Sequence, residues 1–426
     1  MELSEATGPA PVRSEESHPQ GNFTLPDLEK LALSHNPTLV QARAQVTGER
    51  GKALQAGLFP NPFLGYAGDL LGVRSAGLGE FAGGMLGQEV ILGGKLKYSR
   101  KKYQARVSAA EQQALAQQFR VLNDVRILFY HALAAAERLQ LREELLKTAK
   151  DRWLTRHEML NMGQANQADI HDVNIDLEKH KAEAALAENE LMLSWQELMI
   201  MVGISAAYSP LVGSLEVAPP ELALDSLWQR VVQDSPELGE ARMKLRADEI
   251  TVQRERRQPV PNVTLCGGAG YDQIDKSFAA RAAVNVTNIP VFNRNQGTIQ
   301  QAEADLERQR AQIQLLELDL RRRLNEQYFR YKTAAQFVKA YHDVVVPESR
   351  AKYQVVLRSY MDARLDWNEA LAAQKDYATA RLEYIDYLLE CRKSVVELEG
   401  FLLTGGLMPP PGVTPPGHID ATPQPR

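Results

Sequence analysis

Histidine, cysteine and clustered acids are the usual carriers of chemistry, and here their spacing is wrong for it. The histidines fall at His18, His35, His131, His157, His171, His180, His342 and His418. None forms an HxxxH pair or sits near a cysteine, so no zinc-type ligand set is indicated. Cys266 and Cys391 have no CxxC partner and read as unpaired thiols. Gly267, Gly268 and Gly270 follow a strand candidate but lack the GxGxxG pattern and a phosphate-loop lysine, so close strand packing explains them better. Asp and Glu pairs are abundant and read as solvated faces or helix–helix pairs. No Ser-His-Asp or Cys-His pattern is present. The expectation is a protein that is not an enzyme, holds no cofactor and carries no metal site. A net charge of −5 gives no reason to expect nucleic acid as a partner.

The notable polar residues that remain lie at two chain reversals. Gly163, flanked by Asn161 and Asn166, marks one tip turn. Tyr360–Leu365 marks the other, with Asp362 where the first has Gly163. Each turn ends a long helical run, Leu96–Asn161 and Asn295–Tyr360, of about 65 residues or ~100 Å at helical rise. Composition agrees: 24% charged and 7% aromatic residues in 426 suit long helices better than a thick globular core. No apolar run reaches the ~18–20 residues of a membrane-spanning helix.

The two runs belong to a tandem repeat. Pro37, Leu39, Ala42 and Arg43 match Pro236, Leu238, Ala241 and Arg242 at an offset of 199. Phe59-Pro60-Asn61 faces Val260-Pro261-Asn262, and Met162 faces Met361. An ordered series at nearly constant offset indicates duplication.

The division that follows is a disordered tail over 1–21 and a first repeat over 22–203, with a β-hairpin at 61–92 and a tip near 163. A linker spans 204–221. The second repeat spans 222–404, with a hairpin at 262–290 and a tip near 362. A Pro-rich disordered tail covers 405–426. An opening helix should run from an N-cap at Thr24 to about Gly57, and its counterpart over about Leu224–Arg257. In β candidate 278–289, Ala282, Val284 and Val286 alternate with Arg281, Asn285 and Thr287. Leu115, Phe119, Leu122, Phe129 and Leu133 predict one rod seam, and Ile313, Leu316, Leu320, Leu324, Tyr331 and Val338 the other. Pro347 should kink or break the second rod.

The fold class is therefore mainly α with a small β part: duplicated long antiparallel helical hairpins plus four strands. Four short strands with free edges are not stable alone in water. Several copies closing into a ring would remove every edge, and such a barrel could sit in lipid. A soluble cap on a helical bundle is the other reading of the same strands.

The halves, Asn36-Pro37 answered by Ser235-Pro236, and the QEVILGGK run at Gln88–Lys95 together resemble the outer membrane efflux protein family, the TolC-like exit ducts. The resemblance covers about 24–404. IPVFNRNQGTIQQAEAD at Ile289–Asp305 and the run ending VLRSYMDARLD resemble the branch serving cobalt-zinc-cadmium (heavy-metal) RND-type pumps. This implies a homotrimer with a twelve-stranded β-barrel in outer-membrane lipid, on an α-helical barrel. It also implies a periplasmic adaptor (membrane fusion protein) and an inner-membrane RND-type pump as partners. The implied function is a passive gated conduit for metal ions or small toxic compounds. By the same resemblance, Asp169 and Arg364 fall at interhelix-link positions of the tip gate. The family's aperture aspartates fall on Asn368 and Leu371, so Asp366 and Glu369 are the candidates for an acidic ring, or else ordinary solvated helix residues.

The opening residues show no basic or long apolar segment, so no signal peptide is visible, and the expectation is a trimmed or mis-assigned start. The rival function is a soluble coiled-coil scaffold or adaptor, which has no use for strands at equivalent places in both halves.

Overall fold

The structure, a computed structural model, describes residues 23–69, 81–216, 218–287, 289–362, 364–365 and 367–412. The expected tail over 1–21 and most of the Pro-rich tail lie outside these residues. The elements in chain order are β1 (Phe23–Thr24), α1 (Leu25–His35), α2 (Pro37–Gln55), β2 (Phe63–Asp69), β3 (Phe81–Val90), α3 (Lys95–Asn161) and α4 (Gln167–Val202). There follow β4 (Leu211–Val212), α5 (Leu224–Asp234), α6 (Pro236–Arg257), β5 (Asn262–Asp272), β6 (Ser277–Thr287), α7 (Gln296–Ala340), α8 (Val346–Met361) and α9 (Trp367–Glu399). A π-helical turn, Tyr341–Val345, lies between α7 and α8.

The expected opening helix is two helices, and so is its counterpart. Proline at the first helical position presets φ and needs no N–H, while forcing the residue before it into extended backbone. Asn36 (φ −66, ψ 121) and Ser235 (φ −61, ψ 123) accordingly break the chain at equivalent places. The Asn36 side chain caps α2 by accepting from the Thr38 N–H at 3.0 Å. Ser235 makes no such cap. Pro347 breaks the second rod as expected, and does so through the π turn. Its missing N–H and its ring cannot fit the α-helical ladder, and one extra residue per turn accommodates them.

The chain forms two units. The first takes residues up to His35, Val125–Val217 and Asp343–Leu389. Within it Ile170, Val173, Leu177, Ala184, Ala187, Leu191, Trp195 and Leu198 form the buried stripe of α4, at helical spacing. Leu28 and Ala32 of α1 are fully buried, and α1 packs on α4. The linker is not bare. Its β4 pairs in parallel with β1, Phe23 against Leu211, and Leu215 is buried. Phe23 lies 5.8 Å from the Trp195 ring, whose Nε1 donates to the Ala206 carbonyl at 3.2 Å.

The second unit takes Asn36–Asp124, Ala218–His342 and the residues from Glu390. Its core joins Ala116, Val231, Leu238, Leu320, Phe401 and Leu403. Phe119 meets Phe401 edge-on at 5.0 Å. Val46, Ala109 and Ala110 form a second patch. The second seam is largely as read: Leu320, Leu324, Tyr331 and Val338 are buried. The first seam is present in part: Phe129 and Leu133 are buried and Phe119 packs against the core, whereas Leu115 is exposed. Ala109, Ala116, Val121 and Val125 share the burial, because small side chains let helices approach closely.

The sequence reading also missed a buried polar clamp in this unit. Gln117 is fully buried and donates to Thr38 Oγ1 (3.0 Å), the Gly406 carbonyl (2.8 Å) and the Met408 carbonyl (3.1 Å). Asn123 Nδ2 donates to the carbonyls of Gly400 (2.9 Å) and Leu403 (2.7 Å). Asp124 accepts from the N–H groups of Gly405 (3.0 Å) and Gly406 (2.6 Å). The expected disordered tail from 405 is thus tied down at least through Met408, because three polar side chains of α3 satisfy its backbone.

Replacing Gln117 by leucine nearly keeps the volume but removes the donor to the Met408 carbonyl and one of the two donors to the Gly406 carbonyl, which Thr38 Oγ1 also reaches at 2.9 Å, and should cost on the order of 1–3 kcal/mol. The thermal midpoint of the detergent-purified variant should fall accordingly. Glu137, in the first unit, has its pKa raised by burial and then by the Glu216 charge, against Arg381. The folded state thus holds its proton more tightly than the unfolded one. The stability this gives is present below the ordinary glutamate value and is lost as pH rises through the raised one. Glu137→Gln should therefore melt higher than wild type at neutral pH and match it in acid.

Candidate functional site: a two-faced sheet and the helix-end turns

The four long strands form one antiparallel sheet in the order β2-β3-β5-β6. The two hairpins of the duplicated halves thus join through β3 and β5. At 10, 11 and 11 residues, β3, β5 and β6 have the length of a tilted membrane-spanning strand. Asp272 turns the β5–β6 hairpin by accepting from the N–H groups of Ile274 (2.9 Å) and Asp275 (3.2 Å).

Directly opposed residues in an antiparallel pair share a face. Leu64 opposes Leu86, Leu86 opposes Gly267, Leu265 opposes Val284, and Tyr271 opposes Phe278. One face therefore carries Leu64, Tyr66, Leu86, Leu265, Tyr271, Phe278, Val284 and Val286. All are exposed, Leu64 at 82% and Phe278 at 77%. The other face carries Glu89, Asn262, Thr264, Ser277, Arg281, Asn285 and Thr287. The alternation read in β6 is present. A sheet in a water-soluble domain buries its apolar face; this one leaves it open. Among the described residues β2 pairs only with β3 and β6 only with β5, so both outer edges of the sheet are unpaired.

The polar face is filled economically. Phe63 lies over Gly87 and Phe81 over Gly270, where a Cβ would meet ring atoms at 2.2 and 2.7 Å. The Arg281 guanidinium sits 4.2 Å from the Phe81 ring centroid. Where the sheet ends, Asn262 accepts from Lys95 Nζ at 2.8 Å and donates to Glu89 Oε1 at 2.8 Å. Cys266 lies on this face, half-buried, and Cys391 is buried elsewhere; both are free thiols. Among the described residues no group of three or more His, Cys, Asp or Glu is placed to hold a metal ion. Nor is any helix there long and apolar enough to cross a membrane.

The tip residues lie in the first unit. Gly163 has φ +73, a left-handed conformation that favours glycine, and it closes the α3–α4 turn. Asn166 and Asp169 form a reciprocal capping box at the start of α4, each side chain accepting from the other's N–H at 3.0 Å. Asp169 is thus engaged with its own helix end. Arg364 is exposed, and its N–H donates to the Ser359 carbonyl at 2.9 Å. Asn368 and Glu369 are exposed in the first turn of α9. Asp366 lies outside the described residues.

Behind the turns is a cavity of about 250 Å³, lined from α3, α4, α8 and α9. Arg152 stacks on Trp367 at 4.4 Å and pairs with Asp176 at 3.1 Å. Tyr360 meets Trp367 at 5.3 Å. Sequence reasoning passed over this cluster. No local spacing marks it, since its residues come from helices on both sides of two reversals.

The sequence pattern of the family described as "Outer membrane efflux protein" matches residues 28–204 and 227–402. The cobalt-zinc-cadmium resistance protein CzcC of Cupriavidus metallidurans is 23% identical over 393 residues, covering 90% of each chain. The probable outer membrane lipoprotein SilC of Salmonella typhimurium is 24% identical over 300 residues, 66% of this chain and 65% of that protein. The solved structure of CusC, described with transmembrane channel formation, shares the fold at a TM-score of 0.73 and 18% identity, covering 89% of this chain and 92% of that one. With each half matched separately, the chain belongs to the outer membrane efflux protein family and is a protein of the outer membrane.

Proposed function

We propose that the chain is the outer-membrane exit duct of a tripartite efflux system. The carrying observation is the sheet: an exposed apolar face, a polar opposite face and two unpaired edges. In lipid every backbone group must be paired, and four strands cannot close on themselves. Three copies joined β6 to β2 make a twelve-stranded barrel whose apolar faces meet hydrocarbon and whose polar faces line a water-filled passage. The duct catalyses nothing. A periplasmic adaptor and an inner-membrane RND-type pump would deliver the cargo. The likeness to CzcC, a cobalt-zinc-cadmium resistance protein, supports heavy-metal ions as that cargo, with small toxic compounds as the broader class. A soluble scaffold is disfavoured, because it would leave eight large apolar side chains of one sheet in water.

The tip would act as the gate. Gly163 sets one turn, Asp169 and Arg364 would link helix ends, and Asp366, Asn368 and Glu369 would face the aperture. On this reading Arg364→Ala raises the conductance of the protein in planar bilayers severalfold. Conductance equal to wild type in that variant would remove Arg364 from the gate.

Two neighbouring substitutions test the duct itself. Val284→Lys puts a charge on the apolar face and should cost roughly 2–4 kcal/mol if that face meets lipid. It should also deplete folded protein from the outer-membrane fraction. Asn285→Lys, one residue away on the polar face, should be tolerated and should shift ion selectivity toward anions. Equal tolerance of both would mean the sheet does not sit in lipid.

A further inference from the structure

The cavity behind the turns has the features of a ligand site. Its walls are largely apolar or aromatic: Met159, Leu357, Met361, Tyr353, Tyr360 and Trp367. Two donors in its lining lack acceptors. Gln374 is 3% exposed, and its Nε2 has no hydrogen-bond partner. Arg152 uses Nε on the Thr148 carbonyl at 3.2 Å, but Nη1 is buried without an acceptor, and Nη2 lies near Asp176 without a well-directed hydrogen bond. Leaving buried donors unpaired is costly, and more so on a charged group. The guanidinium lies over the Trp367 indole, which fixes its plane while leaving an edge to offer.

We propose that this cavity binds a small aromatic carboxylate. The carboxylate would accept from Arg152 and Gln374, which are donors only at those atoms. The ring would lie against Trp367, Tyr360 and the methionines. The volume, just below the usual 300–1,000 Å³ of ligand pockets, suits a molecule of about one ring. Arg156 adds a second cation to the lining, against the acid Asp151. Because the four helices that carry the turns also line the cavity, an occupant would brace the tip. This assignment rests on the cavity alone and stands or falls apart from the duct reading.

The test uses the full-length protein in detergent, with benzoate as probe and acetate and benzylamine as controls. Tryptophan fluorescence and the thermal midpoint are followed together, since a ligand of the folded state raises the midpoint. Benzoate should quench saturably and raise the midpoint, while the controls do neither. Arg152→Gln and, separately, Gln374→Met should each weaken benzoate at least tenfold. Gln374→Met keeps the side-chain length and guards against a variant that merely unfolds, which circular dichroism would reveal. Non-saturable quenching, equal response to benzylamine, or undiminished binding in a folded Gln374→Met variant would overturn the proposal.

Discussion

A β-strand carries a row of N–H and C=O groups along each edge, and the surrounding medium decides whether an unpaired row is tolerable. Water can satisfy it; hydrocarbon cannot. The sheet here has unpaired edges on β2 and β6 and turns its apolar side chains outward, so the two features belong together. On the proposed reading the exposed leucines, valines and aromatics meet an apolar medium, and that medium would make open edges intolerable. Glycines on the polar face and the rings laid over them let that face be lined sparingly. The duplication serves the same constraint, since each half supplies one hairpin and the sheet joins them edge to edge.

Much of this was legible in sequence because it rests on local chemistry. α4 begins and ends where Gly163, Asn166 and Gly203 place it, since positive φ and side-chain caps act within a few residues. The strands were placed to within a few residues by proline, glycine and alternation. The Pro37 and Pro236 breaks were visible as residues but read as tolerated inside longer helices. Proline at a first helical position starts a helix, and the residue before it must leave helical space.

What escaped the sequence depends on distant partners. Gln117, Asn123 and Asp124 look like ordinary polar residues on a charged helix. Their role appears only when the segment from Gly400 onward folds back to offer its carbonyls and N–H groups. The gap in the first seam at Leu115 has the same cause. Large apolar residues were counted, whereas Ala109 and Ala110 set how near a neighbouring helix comes. The cavity cluster was invisible because Arg152 and Trp367 are far apart in the chain.

The two halves are close copies but not interchangeable. Asn36 caps its helix and Ser235 does not, and among the described residues only the second half carries a π turn. A ring of three such chains would have a near-sixfold outline and a true threefold symmetry. It would offer six hairpin ends of two alternating kinds. A partner built for one kind would seat three times around the ring, and a partner seating six times would need two distinct modes of contact.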